Sequence, residues 1–210
     1  RVSHAYLFSG ARGVGKTSVA RIFASALRCP EKDVSEAAQN ERQAIAEGRS
    51  VDVIEIDGAS NNGVEAVRGL RENVAYSPSS GKYKIYIIDE VHMLSNNAFN
   101  ALLKTLEEPP AHVKFIFATT EIRKVPVTVL SRCQRFDLRR IEPEEMIKML
   151  QNIAKLEKAS ISDEALALIT RASEGSARDA QSLLDQAISH GAGETSVDQV
   201  RAMLGLADRG

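Results

Sequence analysis

Near the start of the chain, Gly10-Ala11-Arg12-Gly13-Val14-Gly15-Lys16-Thr17 fits the phosphate-binding pattern G-x-x-x-x-G-K-S/T at every specified position. Its chemistry follows from the residue types. Glycines permit backbone turns closed to other residues, so successive N–H groups can converge on phosphate oxygens, and a helix N-terminus adds positive potential. Lys16 is suited to the β- and γ-phosphates and the Thr17 hydroxyl to Mg²⁺; Gly10, Arg12, Gly13, Val14, Gly15 and Ser18 complete the candidate ATP contacts. The competing reading is a glycine-rich turn carrying a solvated lysine. The context favours phosphate, because the pattern follows a β-like run and opens a helical one.

Binding a nucleotide does not hydrolyse it. A second apolar run, Ile85-Tyr86-Ile87-Ile88, ends in the carboxylates Asp89 and Glu90. At the carboxyl end of a strand Asp89 can hold Mg²⁺ through water, and Glu90 can orient and polarise the attacking water. A strand followed by an acidic helix cap is the alternative. His92, in Asp-Glu-Val-His, is expected to have a surface or packing role rather than a catalytic one.

Bringing these groups together requires a parallel sheet. Apolar runs at residues 4–8, 51–56, 84–88 and 113–118, and a weaker one at 134–138, several of them nearly continuous, read as strands covered on both faces. Helical stretches at 16–28, 64–76 and 96–107 alternate with them, the last stopped by Pro109-Pro110. This predicts an α/β fold: a P-loop core with a five-stranded parallel sheet over residues 1–140. Residues 30–50, polar and rich in Ala and Glu, read as a helical or irregular connection. Beyond Pro143 the strand signal disappears, and helical spacing over 144–158, after Ser162, from Gly175 to Gly191 and after Ser196 predicts a small helical lid over 141–210.

Composition bounds the rest. The 210 residues carry 27 Lys+Arg against 28 Asp+Glu, a net charge of -1, with 43% hydrophobic content. That excludes global disorder and a chain that coats nucleic acid by bulk charge. Two cysteines, Cys29 and Cys133, cannot build a disulfide framework or, by themselves, a four-cysteine zinc site. With no apolar run of about 18 residues and no leader pattern, a soluble chain of a reducing compartment is expected, without membrane contact.

Further motifs sit at Phe117-Ala118-Thr119-Thr120-Glu121, Leu130-Ser131-Arg132-Cys133 and Glu174-Gly175-Ser176-Ala177-Arg178-Asp179-Ala180. In this order, and with Ile88-Asp89-Glu90-Val91-His92-Met93-Leu94-Ser95 and Ala101-Leu102-Leu103-Lys104-Thr105-Leu106-Glu107-Glu108-Pro109-Pro110, the chain resembles the clamp-loader branch of the AAA+ ATPases, and within it the bacterial DNA polymerase III tau/gamma family. The resemblance implies an ATP- and Mg²⁺-dependent motor that loads a sliding clamp onto primed DNA in the bacterial cytoplasm, at replication forks. Implied partners are the delta and delta-prime subunits, further tau/gamma copies, the clamp, and primed DNA held by its backbone. It implies that Thr120 senses the γ-phosphate, that Arg132 is an arginine finger for a neighbouring subunit's site, and that Arg178 is a second sensor for its own. A surface arginine and an exposed helix salt bridge are the competing accounts of Arg132 and Arg178.

Asn61 and Asn62 are the candidates for DNA backbone contact, with an ordinary helix cap as the competing account. The window 121–140 holds six basic and two acidic side chains, suited to a neighbour's ATP, to DNA phosphates or to a solvated surface. Two departures from the family stand out. Cys29 remains, but Glu36, Gln39 and Arg42 occupy the positions of three further zinc-binding cysteines, so no zinc is expected. Only nine residues precede Gly10, and a C-terminal collar domain is expected beyond this chain, which therefore reads as an excised core plus lid, weakly active alone. The alternatives are a helicase or branch-migration AAA+ motor and a non-hydrolysing clamp-loader subunit; retention of Lys16, Asp89 and Glu90 argues against the latter.

Overall fold

The structure, a computed structural model, describes residues 2–191 and 193–205, with the side chains of residues 61–64 excepted. By its internal contacts the chain divides into two compact units, one of Arg1–Gly10 and Lys16–Leu138, the other of Ala11–Gly15 and Arg139–Gly210.

The first unit is built on five parallel strands, β1 (Ala5–Ser9), β2 (Val53–Asp57), β3 (Lys84–Asp89), β4 (Val113–Thr119) and β5 (Gln134–Asp137), in the order β2-β3-β4-β1-β5. Helices α1 (Lys16–Arg28), α2 (Glu36–Ala46), α3 (Asn61–Asn73), α4 (Asn96–Glu107) and the short α5 (Val127–Leu130) connect them. Alternation along the strands serves two cores. Tyr86, Ile88, Phe115 and Phe117 face Val67 and Leu70 of α3 and Phe99 and Leu102 of α4. Ile85, Ile87 and Ile116 face Ala20 and Ala24 of α1 and Ile45 of α2. Every residue of β4 is buried, which is why its sequence is apolar but for Lys114 and Thr119. β5, an edge strand with exposed residues throughout, gives the weakest signal.

Local rules explain the boundaries. Ser95 caps α4 by accepting the Ala98 N–H, and the helix ends at Glu107, ahead of the two prolines. Ser35 caps α2 in the same way, so the polar 30–50 connection is partly helical. Helix α3 runs over 61–73, not the expected 64–76: it starts directly after the Asp57 turn, where the Asp57 carboxylate accepts the Ala59 N–H.

The second unit contains α6 (Pro143–Leu156), α7 (Asp163–Ser173), α8 (Ala177–His190) and α9 (Val197–Met203) around Met146, Leu150, Ile169, Leu184 and Val200. Ser162, Ser176 and Ser196 cap three of these helices. The expectation of helices alone is corrected in one respect: β6 (Ser160–Ile161) and β7 (Glu194–Thr195) pair in parallel. Strands of two residues are too short to display alternation, so the sequence carries no sign of them.

Candidate nucleotide site

The strand order reverses beside β1, which lies between β4 and β5, and open α/β sheets bind ligands at the carboxyl ends of strands around such a point. The ends of β1, β3 and β4 deliver the P-loop, the acidic pair and the Thr119-Thr120 dipeptide. Register fixes their proximity: Ser9 pairs with Thr119, and the Gly10 N–H donates to the Thr119 carbonyl at 3.2 Å.

The P-loop adopts the backbone its glycines permit, with Gly13 at φ 79° and Gly15 at φ 96°. Val14 is buried and Arg12 and Ser18 are exposed, Ser18 lining a cleft of about 460 Å³ with Ile22, Ala26, Cys29 and Arg42. Lys16, buried at the first position of α1, donates from Nζ to the Gly10 carbonyl at 3.0 Å, spanning the loop whose N–H groups would receive phosphate. The Thr17 hydroxyl donates to Asp89 Oδ2 at 3.0 Å. These two hard oxygen donors fit Mg²⁺, which keeps most of its waters and takes few protein ligands in nucleotide sites. Among the described residues, no group of three or more His, Cys, Asp and Glu side chains is placed to hold a metal.

Glu90 has a left-handed backbone, φ 48° and ψ 45°, which for a non-glycine residue costs about 1–3 kcal/mol and recurs at functional sites. The Asp89 carboxylate accepts the Glu90 N–H at 2.8 Å, and the Glu90 carboxylate accepts the Thr120 hydroxyl at 3.1 Å. The structure thus brings together Lys16, Thr17, Asp89, Glu90 and Thr120. His92, expected at the surface or in simple packing, has a buried ring with Nδ1 2.9 Å from Thr119 Oγ1 and 3.4 Å from Glu90 Oε2. Neither His92 nor Thr119 was distinguishable from its neighbours by type or spacing; burial and contact single them out.

Arg132 is exposed. Its guanidinium donates to the Thr128 carbonyl at 2.7 Å and pairs with Glu107 at 3.2 Å. Much of the basic window is likewise paired locally, Lys124 with Glu121 and Arg135 with Asp137. Burial pushes the Cys133 thiol beside Arg132 up to about 12. In the second unit Arg178 is the second residue of α8, and its backbone N–H donates to the Gly13 carbonyl at 3.3 Å. Asn61 and Asn62 are the first residues of α3; their side chains, and so any contact with DNA, lie outside what is described.

Around Cys29 the structure gives the other family positions different work. Arg42 donates to the carbonyls of Pro30 and Asp33 at 2.8 and 2.6 Å, and Gln39 to that of Val34 at 3.0 Å. Burial, followed by the Glu41 charge, raises the Cys29 thiol, which disfavours the thiolate that metals require.

Comparison with known proteins agrees with this architecture. Residues 1–142 match the family model described as DNA polymerase III, delta subunit, and residues 145–193 match the DNA polymerase III clamp loader subunit ATPase lid domain. DNA polymerase III subunit tau of Salmonella typhimurium is 53% identical over 212 residues, covering 99% of this chain and 33% of that protein. The tau subunit of Bacillus subtilis is 55% identical over 192 residues (90% and 34%), and the gamma subunit of Buchnera aphidicola subsp. Acyrthosiphon pisum 45% over 208 (98% and 58%). The chain thus spans about a third of the tau relatives' length. In fold it resembles the Thermotoga maritima RuvB Holliday junction branch migration motor, with TM-score 0.68, 19% identity, and coverage of 98% of this chain and 62% of that one. The chain belongs to the DNA polymerase III clamp-loader family, with the family's P-loop AAA+ core and helical ATPase lid.

Proposed function

We propose that this chain is the ATP-hydrolysing part of a DNA polymerase III clamp-loader subunit, with its core in residues 1–140 and its lid in 141–210. The observation that carries the reading is the meeting of Thr17 with Asp89, which joins the P-loop to the acidic strand end in a family member that retains Lys16 and Glu90. In this reading the P-loop N–H groups and Lys16 bind the phosphates, and Thr17 and Asp89 hold Mg²⁺, which neutralises charge on them. Glu90 orients the attacking water and Thr120 shares that task, consistent with their mutual hydrogen bond. Arg178 serves as the second sensor, supported by the bond from its N–H to Gly13.

Arg132 acts in trans on a neighbouring subunit's nucleotide. Its ties to Glu107 and Thr128 are solvent-exposed and weak enough to be exchanged for a phosphate. The partners of the whole protein are then the delta and delta-prime subunits, further copies, the clamp and primed DNA, in the bacterial cytoplasm. Asn61 and Asn62 remain the candidates for DNA contact. We further propose that the 29–42 segment is held without zinc, on the strength of the Arg42 and Gln39 bonds to its carbonyls; stoichiometric zinc in the purified protein would overturn this.

The test is ATP-dependent retention of the clamp on primed DNA by the full-length protein assembled with its partner subunits. Arg132→Ala is expected to abolish cycling and lower stimulated turnover by about 10³-fold or more. Clamp-independent unwinding of duplex DNA would favour a translocating motor instead.

A further inference from the structure

We infer that His92 is a positioning residue for Glu90, tying its carboxylate to the end of β4 through Thr119. The inference rests on the reading of Glu90 as the group that orients the attacking water. The His92 side chain is only 4% exposed, and a buried ring nitrogen needs a polar partner. Nδ1 has two oxygens in reach, Thr119 Oγ1 at 2.9 Å and Glu90 Oε2 at 3.4 Å.

Thr119 is fully buried and serves three elements at once. Its carbonyl accepts the N–H of Gly10, its hydroxyl oxygen accepts the N–H of Glu121 at 3.0 Å, and the same hydroxyl meets His92. Either ring tautomer preserves the His92–Thr119 bond: a bare Nδ1 accepts the threonine proton, and a protonated Nδ1 donates to the threonine oxygen. In the protonated form the single Nδ1 hydrogen is shared, with Thr119 Oγ1 the nearer acceptor at 2.9 Å and Glu90 Oε2 the longer arm at 3.4 Å.

The arrangement answers a need set by Glu90 itself. Its flexible side chain starts from a left-handed backbone position at the strand end and is half-exposed, so its direction depends on lateral contacts. Thr120 supplies one and His92 the other, both anchored at the end of the strand that also holds the P-loop. Loss of orientation of about 1 Å at a reacting group costs about 10²-fold in rate.

The test compares His92→Phe, which keeps a ring in the buried space, with His92→Asn, whose amide can stand where Nδ1 stands. Both are made in the full-length protein within its clamp-loader assembly, with Glu90→Gln alongside; the readouts are stimulated ATP turnover and the affinity for a non-hydrolysable ATP analogue. We expect His92→Phe to lower turnover about 10- to 100-fold with analogue affinity unchanged, and His92→Asn to recover much of it. Unchanged turnover in His92→Phe, equal losses in both variants, or a loss of analogue affinity would each overturn the inference. If Glu90→Gln keeps full turnover, the reading of Glu90 fails and the inference falls with it; if Glu90→Gln is inactive while His92→Phe is normal, only the role of His92 fails.

Discussion

Thr17 and Asp89, 72 positions apart in sequence, share a hydrogen bond of 3.0 Å, and that bond fixes the hydroxyl of the P-loop helix against the acidic end of β3. Two hard oxygens meeting where a nucleotide's phosphates would lie are what Mg²⁺ needs from the protein. Thr17→Val and Asp89→Asn should therefore each raise the Mg²⁺ concentration required for nucleotide binding and turnover about tenfold or more, without unfolding the chain. Magnesium titrations of analogue binding check this.

The two positive-φ glycines of the P-loop differ in what surrounds them. A Cβ on Gly13 would lie 2.0 Å from Ser176 Oγ, the atom that caps α8 by accepting the Asp179 N–H, whereas a Cβ on Gly15 would meet nothing within 4 Å. Gly15→Ala should carry only the backbone cost, about 1–2 kcal/mol. Gly13→Ala should carry the same strain plus the loss of the cap, about 1 kcal/mol more. Denaturant melts of the two variants should rank Gly13→Ala as the less stable.

A buried ion pair secures the base of the first unit. Arg28 and Asp52, with side chains 2% and 6% exposed, meet at 2.9 Å, and Asp52 also accepts the N–H groups of Ser79 and Ser80. Asp52→Ala leaves Arg28 paired with Glu41 at 3.0 Å but takes the acceptor from the Ser79 and Ser80 N–H groups, so it should cost about 1–3 kcal/mol. Chemical denaturation measures it directly.

Burial raises the Tyr86 phenol from 10.0 to about 12 and the Cys133 thiol from 9.0 to about 12. Both groups ionise earlier in the unfolded chain. Their protonated forms therefore favour the folded state fully below about pH 9, and stability falls as pH rises from there toward 12. The Tm should decline above about pH 9, and combining Tyr86→Phe with Cys133→Ala should flatten the decline. At neutral pH Tyr86→Phe should be neutral or stabilising, because among the described residues the Tyr86 hydroxyl has no hydrogen-bond partner.

The parts of the site that were legible in the sequence are those in which chemistry and local structure coincide. Gly10 to Thr17 and Asp89-Glu90 sit where a strand turns into a helix or ends, so one short segment reports both residue type and position. Phe99, Leu102 and the prolines after Glu108 likewise read directly as a helix and its stop. Arg28 with Asp52, Arg132 with Glu107, and His92 with Thr119 are pairs made by side chains from separate elements, and periodicity within one element says nothing about them. His92 shows the limit most clearly: its type and spacing fit an ordinary surface histidine, and only the packing of the turn after β3 against the end of β4 gives it two oxygen partners.

In the proposed reading, the P-loop depends on Lys16 to serve as the ATP site of this chain. The most direct measurement is ATP turnover, with and without clamp and primed DNA, by the full-length protein carrying Lys16→Ala in an intact assembly with its partner subunits. Stimulated turnover at this subunit is expected to fall to background while the assembly persists. Undiminished stimulated turnover in Lys16→Ala would contradict that reading.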